Sequence, residues 1–313
     1  MDLHTIRKAW LSKMDTKILL ENGTNELEVL EFVLDGNAYG INVAKIKEII
    51  NYQPVTPVPN AHPSIEGIFM PRDTMITAID LRNCLQRGKS KAGGLFIVTN
   101  FNKLDIAFHV DEVRGIHRVS WEHIIKPGAT VSSAEESIST GIVKIDDRLI
   151  IILDFEKIVA DINPETGLKV SEINELGVRG RSNVPILIAE DSVLLNRLIV
   201  DSLKQAGYVN LTHTCNGQEA YDVIKQAEQE GRLDQVVQCV ITDIEMPMMD
   251  GHRLTKLIKE DDRTKNIPVI IFSSLVNEEM MRKGESLGAD AQLSKPEIGN
   301  LVRIIDELVK PNK

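Results

Sequence analysis

Residues 240–251 read VITDIEMPMMDG, and this stretch decides the fold of the second half of the chain. A short apolar run comes first, and the acidic side chain of Asp243 follows it directly. Three more short apolar runs, at 186–189, 269–272 and 291–293, end at polar side chains in the same way. Segments of helical period separate these runs, an alternation that predicts buried parallel strands in βαβ units.

The polar side chains that follow the four runs are Glu190, Asp191, Asp243, Ser273 and Lys295. In an open α/β sheet the ligand site lies beyond the carboxyl ends of the strands, so we expect these side chains in one crevice. Three carboxylates held together repel one another unless a hard cation such as Mg²⁺ binds them. The lysine and the hydroxyl suit the remaining oxygens of a phosphoryl group. The sequence therefore predicts an aspartate that becomes phosphorylated.

These motifs resemble the response-regulator receiver domain over residues 184–310. The resemblance implies an α/β fold of the (βα)5, flavodoxin-like type. It implies that Asp243 is the phosphoacceptor and that a phosphohistidine kinase supplies the phosphoryl group. Asp191, Asp243 and the backbone carbonyl of Glu245 would bind Mg²⁺ directly, and Glu190 would act mainly through water.

The same resemblance assigns Lys295 and Ser273 to the phosphoryl oxygens, with a movement of the Ser273 loop as the switch. It also implies a cis peptide bond before Pro296. Two positions depart from the family. Gln292 stands where many receivers carry a rotating aromatic side chain, and Glu245 is an acid that we expect to affect the lifetime of the phosphoryl bond.

The first half of the chain has many short apolar runs separated by turn residues, which predicts a barrel-like β architecture. We expect helices over 43–50 and 155–160. Residues 163–183 contain glycine, proline and charged residues without a sustained apolar period, so a linker is expected there. The expected strands are 27–34, 39–41, 67–70, 75–81, 95–99, 104–110, 113–119, 138–145 and 149–153.

Several blocks of this half resemble the CheW coupling domain over residues 25–162. They are FVL at 32–34, YGINV at 39–43, IKEII at 46–50, TPVP at 56–59, IEG at 65–67 and IDLR at 79–82. The resemblance implies an all-β domain of two small SH3-like barrels around a shared core. It places Arg72 near a receptor contact and Glu48 toward a kinase contact. The block FMPRD at 69–73 departs from the family, and only Arg72 keeps the family's residue type there.

A CheW-like domain followed by a receiver is the arrangement of CheV-type chemotaxis proteins. The resemblance implies an adaptor, not an enzyme, that couples chemoreceptor tips to the histidine kinase CheA and is regulated through Asp243 during adaptation. An alternative stays open, in which coupling is constitutive and the receiver is a phosphate sink for CheA. A DNA-binding regulator is disfavoured because no helix-turn-helix follows the receiver. An aspartate-nucleophile phosphatase is disfavoured because the acidic pair precedes Asp243.

Composition limits the remaining classes. The net charge of −10 argues against nucleic acid as a partner, since phosphate contacts need a basic surface. Cys84, Cys215 and Cys239 fit neither a disulfide framework nor a zinc site, which favours reduced thiols in a cytoplasm. No apolar stretch approaches the ~20 residues of a membrane helix, and the first residues lack a signal-peptide pattern. We therefore expect a cytoplasmic protein without membrane insertion, and the resemblance to CheV-type proteins implies a location at chemoreceptor arrays.

Overall fold

The computed structural model of the chain describes two compact units. The first holds residues 26–163, and the second holds Asn25 and residues 173–309. The described ranges are 25–101, 104–125, 138–145, 147–163, 173, 176–177, 179–275, 278–295 and 297–309. The peptide bond before Pro296, expected to be cis, lies outside them. Every helix in these ranges is too short or too polar to cross a bilayer.

Two five-stranded sheets make up the described part of the first unit. The first sheet has the order β8-β1-β2-β10-β9, and the second has the order β3-β6-β7-β5-β4. Neighbouring strands are antiparallel except for the β2–β10 and β5–β7 pairs. The strands are β1 Glu26–Leu34, β2 Asn37–Asn42, β3 Ile46–Asn51, β4 Ile65–Phe69, β5 Ile76–Asp80, β6 Leu95–Phe101, β7 Leu104–Val110, β8 Glu112–Ser120, β9 Ser139–Ile145 and β10 Arg148–Leu153.

A shared apolar core joins the two sheets, and helix α2 (Phe155–Ile162) contributes to it. Phe32, Phe108 and Phe155 are fully buried there, and the rings of Phe108 and Phe155 meet edge to face with centroids 4.6 Å apart. Each sheet also has a smaller cluster of its own. A short helix α1 (Leu81–Cys84) follows β5. The predicted β architecture around a shared core is confirmed.

The helix expected over 43–50 is wrong. Val43–Lys45 form a single 3₁₀ turn, capped by the Asn42 side chain, which accepts a hydrogen bond from the backbone N–H of Ala44 at 2.9 Å. Ile46–Asn51 is strand β3, paired antiparallel with β6. The isoleucines of this segment are favourable in a strand, and the pairing with β6 stabilises the strand over a helix. The helix expected over 155–160 is present as α2, capped by Asp154.

His109 is a buried histidine of the first unit that lies against a carboxylate and a backbone carbonyl. Its ring lies between two acceptors, with Nδ1 at 2.8 Å from a Glu66 carboxylate oxygen and Nε2 at 2.6 Å from the Gly93 carbonyl oxygen. Both nitrogens must therefore donate, which requires the imidazolium form. Burial acts to lower the pKa of His109, but the hydrogen bonds to Glu66 and Gly93 outweigh burial and raise that pKa above its ordinary value.

A raised folded-state pKa of His109 makes the stability of the first unit dependent on pH. The contribution of protonated His109 to the free energy of unfolding is complete below the ordinary histidine pKa of about 6.5. It is lost as pH rises through the folded-state pKa. We expect the free energy of unfolding to fall across that rise, because a neutral imidazole can donate to only one of its two buried acceptors. Urea unfolding followed through buried Trp121 at several pH values measures this. His109→Gln should remove the slope, and a slope that persists would contradict the assignment.

The second unit is a five-stranded parallel sheet in the order β12-β11-β13-β14-β15. Counted within the unit this is 2-1-3-4-5, the flavodoxin-like order. Its strands are β11 Ile186–Ala189, β12 Leu211–Thr214, β13 Cys239–Thr242, β14 Val269–Ser273 and β15 Ala291–Ser294. Its helices are α3 Val193–Gln205, α4 Gly217–Gln229, α5 Leu233–Val236, α6 Gly251–Glu260, α7 Glu278–Ser286 and α8 Ile298–Leu308. The predicted α/β fold is confirmed.

Part of the segment expected to be a linker packs on the second unit. Ile173 is buried in the cluster formed by α3 and α8. The Arg179 guanidinium binds the Asp306 carboxylate at 2.5 Å and also donates to the Ala206 carbonyl oxygen at 2.9 Å. Ser182 forms a parallel bridge with Tyr208. Ile173, Arg179 and Ser182 of this segment are therefore held by specific contacts.

Candidate phosphorylation site

The carboxyl ends of the parallel strands meet at one edge of the second sheet and bring the predicted acids together. Glu190 follows β11, and Asp243 follows β13, whose residue Thr242 is directly paired with Ala189 of β11. Carboxylate oxygens of Glu190, Asp191 and Asp243 all lie within 4.8 Å of one another. Glu190 and Asp243 are buried, and Asp191 is half-buried. The structure therefore brings these three acids together at one end of the sheet.

Lys295 is the cation that faces these acids. It follows β15, is 4% exposed, and places Nζ at 2.8 Å from Asp243 Oδ2 and 3.1 Å from Glu190 Oε2. A buried lysine between two carboxylates satisfies charges that would otherwise be costly to remove from water. Removing this cation would leave the acids uncompensated.

Two backbone donors fix the orientation of the carboxylates. The N–H of Ile244 donates to Asp243 Oδ1 at 2.7 Å, and the N–H of Ser192 donates to Glu190 Oε1 at 3.1 Å. Each carboxylate thus has one oxygen held by the backbone and one facing Lys295. The lysine-facing oxygen of Asp243 is the one that a change in the position of Lys295 would release.

Glu190 has an unusual protonation equilibrium. Burial raises the pKa of Glu190 to about 8, and the nearby Asp243 and Asp191 also raise it, whereas Lys295 acts in the opposite direction. Additional positive charge close to such a carboxyl group stabilises its ionised form and lowers its pKa.

The donor set fits a hard divalent cation. Three carboxylates converge within 4.8 Å, and oxygen ligands of this kind are those that Mg²⁺ prefers. Asp191, Asp243 and Glu190 are the residues that would hold the ion, directly or through water. Glu245 is half-buried two residues after Asp243, where its backbone carbonyl was expected to serve as a further ligand.

Ser273 ends β14 beside β15 and is 1% exposed. Its hydroxyl accepts a hydrogen bond from the backbone N–H of Leu275 at 3.2 Å. The residue therefore lies at the same sheet edge as the acids, with its hydroxyl engaged by the segment that leads toward α7. A rotation of this hydroxyl toward a new partner would therefore disturb its hydrogen bond with Leu275.

Gly251 is a site residue to which sequence reasoning gave no role. It begins α6, and a Cβ atom on it would overlap the Asp243 carbonyl oxygen and lie 2.9 Å from Thr242 Oγ1. Its N–H donates to the Ile244 carbonyl oxygen at 3.0 Å. The helix therefore begins against the backbone of Asp243. The Asp-Gly pair at its start was the available signal, because glycine permits such close approach.

The two predicted partner-contact residues of the first unit lie together. Arg72 and Glu48 form an ion pair of 3.2 Å, with the arginine side chain 73% exposed and the glutamate side chain 25% exposed. Arg72 has a left-handed backbone (φ 51°), as does Asp73 (φ 64°), in the turn between β4 and β5. The pair lies at the surface of the first unit.

Two family models match the chain. The CheW-like domain matches residues 28–163, and the response regulator receiver domain matches residues 186–306. The fold and the site thus define a CheW-like β domain joined to a receiver domain. Chemotaxis protein CheV2 of Helicobacter pylori is 30% identical over 309 residues, which cover 91% of this chain and 95% of that protein. The chain belongs to the CheV family of chemotaxis coupling proteins.

A second CheV protein and two solved structures are also similar to this chain. Chemotaxis protein CheV3 of Helicobacter pylori is 27% identical over 304 residues, covering 92% of this chain and 96% of that protein. Among solved structures, the scaffolding protein TtCheW from Thermoanaerobacter tengcongensis is 25% identical, with a TM-score of 0.38, and covers 41% of this chain and 83% of its own. The Mn²⁺-bound response regulator Rcp1 is 24% identical, with a TM-score of 0.36, over 41% of this chain and 97% of its own.

Proposed function

We propose that the chain couples chemoreceptors to the histidine kinase CheA and that phosphorylation of Asp243 regulates this coupling during adaptation. The observation that carries the proposal is the convergence of three carboxylates and Lys295 at one sheet edge. Membership of the CheV family supports the adaptor role of the first unit. The protein would act in the cytoplasm, at receptor arrays.

The chemistry proposed for Asp243 is an in-line phosphoryl transfer. A carboxylate oxygen of Asp243 forms a bond to phosphorus while the P–N bond of the kinase phosphohistidine breaks, and the leaving imidazole takes up a proton. Mg²⁺, held by Asp191 and Asp243, would neutralise charge on the transferring group. Lys295 already contacts Asp243 Oδ2 at 2.8 Å and would move to the phosphoryl oxygens. Ser273 would donate its hydroxyl to the same group.

Phosphorylation gives the receiver a means of influencing a covalently attached partner. The new group adds negative charge and engages Ser273 and Lys295, so the loops that carry them change position. A covalent connection keeps the two domains at high effective concentration, which favours regulation within one chain. To shift the coupling equilibrium, the phosphorylated receiver must favour one state over the other.

Phosphotransfer from CheA, with mapping of the modified residue, tests the first half of the proposal. Reconstituted receptor–kinase complexes containing the phosphorylated or unphosphorylated protein test the second half. We expect modification at Asp243 and a kinase activity that differs between the two states. Equal activity and equal adaptation kinetics would refute the regulatory role.

The phosphate-sink alternative rests on the same site but predicts a shorter lifetime of the phosphoryl group on Asp243. A sink must release phosphate quickly to draw more from CheA, whereas a regulator must hold its phosphoryl group long enough to act. Glu245, an acid two residues from Asp243, is a local candidate for setting this lifetime. A decay of the phosphorylated protein that outpaces adaptation would favour the sink.

Charge reversal at Arg72 tests the adaptor surface. We expect Arg72→Glu to weaken receptor pulldown about tenfold, because it places two acids where an ion pair stood. Exposed ion pairs contribute only about 0–1 kcal/mol, so the first unit should stay folded. The double variant Glu48→Arg/Arg72→Glu is the matched control, since it restores the pair with its orientation reversed. Unchanged pulldown by the single variant would count against a receptor contact at Arg72.

A further inference from the structure

We infer that Asn25 is a positioning residue of the phosphorylation site. Its side chain fixes the loop that follows Asp243, and its backbone connects that loop to the start of strand β1. The inference rests on the proposed function, because the loop matters through the phosphorylation of Asp243. The sequence alone marks Asn25 only as the first residue of the CheW-like stretch.

The side-chain amide of Asn25 makes two hydrogen bonds to this loop. Nδ2 donates to the Met248 carbonyl oxygen at 2.7 Å, and Oδ1 accepts from the Asp250 N–H at 3.0 Å. The loop determines the orientation of the amide, because a carbonyl can only accept and an N–H can only donate. Asn25 is 8% exposed, so water competes little for these bonds. The loop is therefore held at two residues by a side chain from outside it.

Two properties of position 25 favour asparagine. The backbone is left-handed (φ 61°), a conformation that asparagine adopts more readily than most side chains. The two hydrogen bonds also require a donor and an acceptor at the end of one short side chain. Aspartate has the same shape but lacks the donor, and glycine has the backbone freedom but lacks both groups. These two substitutions therefore separate the role of the amide from that of the backbone.

The loop held by Asn25 joins Asp243 to helix α6. The Asp250 side chain caps this helix, and Gly251, the next residue, lies against the Asp243 carbonyl oxygen. Met248 is left-handed as well (φ 65°), a conformation that persists in a residue other than glycine when its surroundings hold it. Asn25 thus binds the strained residue and the capping residue of the loop. The contact of α6 with the backbone of Asp243 depends on these two bonds.

Asn25 also directly precedes Glu26, the first residue of β1. Asn25 belongs to the second unit and Glu26 to the first, so the peptide bond between them is a covalent connection between the units. β1 pairs with β8 from Glu26 onward. A change of the loop on phosphorylation would therefore act on the start of β1 through two hydrogen bonds and one peptide bond.

The amide proton of Asp250 reports directly on the Asn25 side chain, because it donates to Oδ1. We expect Asn25→Gly to speed the exchange of this proton about tenfold, the effect of losing one ordinary hydrogen bond. Asn25→Asp should also speed it, because a carboxylate oxygen would face the Met248 carbonyl oxygen. Residue-resolved hydrogen exchange of the full chain measures both. Asn60→Gly is the matched control, since Asn60 is left-handed (φ 57°) but exposed. Wild-type protection of Asp250 in both variants would overturn the positioning role.

Binding of Mg²⁺ and beryllofluoride, an analogue of the phosphoryl group, tests the link to Asp243. We expect Asn25→Gly and Asn25→Asp to weaken binding about fivefold in calorimetric titrations, because the loop occupies the binding geometry for less of the time. Linkage is reciprocal, so binding should strengthen the Asn25 hydrogen bonds of the wild type by the same factor. Exchange at Asp250 and at the start of β1 should then slow about fivefold in the wild type and stay unchanged in Asn25→Gly.

The outcomes separate this inference from the proposed function. If the wild type and both Asn25 variants bind beryllofluoride equally well, or if β1 responds equally in all of them, the inference about Asn25 is wrong and the phosphorylation of Asp243 is unaffected. If the wild type itself does not bind beryllofluoride, the proposed phosphorylation is wrong as well.

Discussion

We expect Asp243→Asn to abolish phosphotransfer from CheA, with a fall in rate of roughly 10³-fold or more, because the substitution removes the nucleophile of a covalent step. The amide keeps the shape of the carboxylate and can still accept from the Ile244 N–H at 2.7 Å. It lacks the negative oxygen that now faces Lys295 at 2.8 Å. Radiolabelled phosphotransfer under single-turnover conditions measures the loss.

The same variant should weaken Mg²⁺ binding at least about tenfold, because one of three converging carboxylates is neutralised. Isothermal titration calorimetry measures this independently of any kinase. Asp262→Asn is the matched control, since that side chain is 90% exposed and far from the acids in the sequence. If Asp243→Asn accepted phosphate at the wild-type rate, the acceptor would have to be another residue.

The acids of the candidate site could be predicted because their positions follow from local pattern alone. Each apolar run of the second half becomes a parallel strand, and parallel strands place their carboxyl ends at one edge. Asp243 and Glu190 were therefore expected at one end of the sheet once the strands were recognised, and the pairing of β11 with β13 makes them neighbours. Strand β12, Leu211–Thr214, escaped this reading because it is an edge strand with the mixed sequence LTHT.

The features that local pattern could not predict depend on contacts between distant segments. The isoleucines of 46–50 fit a helix or a strand, and pairing with β6 decides for the strand. Ile173 and Arg179 lie in a segment of linker composition, yet both contact the second unit. The contact of the Gln292 amide with Gly284 likewise joins a strand to a helix, and neither residue indicates it alone.

The largest structural effect of a single methyl group is expected at Gly251. A Cβ atom there would overlap the Asp243 carbonyl oxygen, which is backbone and cannot rotate away like a side chain. We expect Gly251→Ala to destabilise the second unit by about 2–3 kcal/mol, the usual range for overpacking in a dense core. The better helix propensity of alanine, about 1 kcal/mol, offsets only part of the strain. Because the displaced backbone carries Asp243, phosphotransfer should also fall about tenfold.

The rate at which the buried thiol of Cys239, in β13, is chemically labelled measures this loss of stability. It is fully buried, and burial raises the pKa of Cys239 to about 12, so it reacts only when the unit opens. A loss of about 2 kcal/mol should speed its labelling about 30-fold, measured by mass spectrometry of the modified peptide. Gly180→Ala is the matched control, because a Cβ atom there meets nothing within 4 Å. Equal labelling rates in the two variants would show that α6 can move off Asp243 without strain, and Gly251 would then hold no special place at the site.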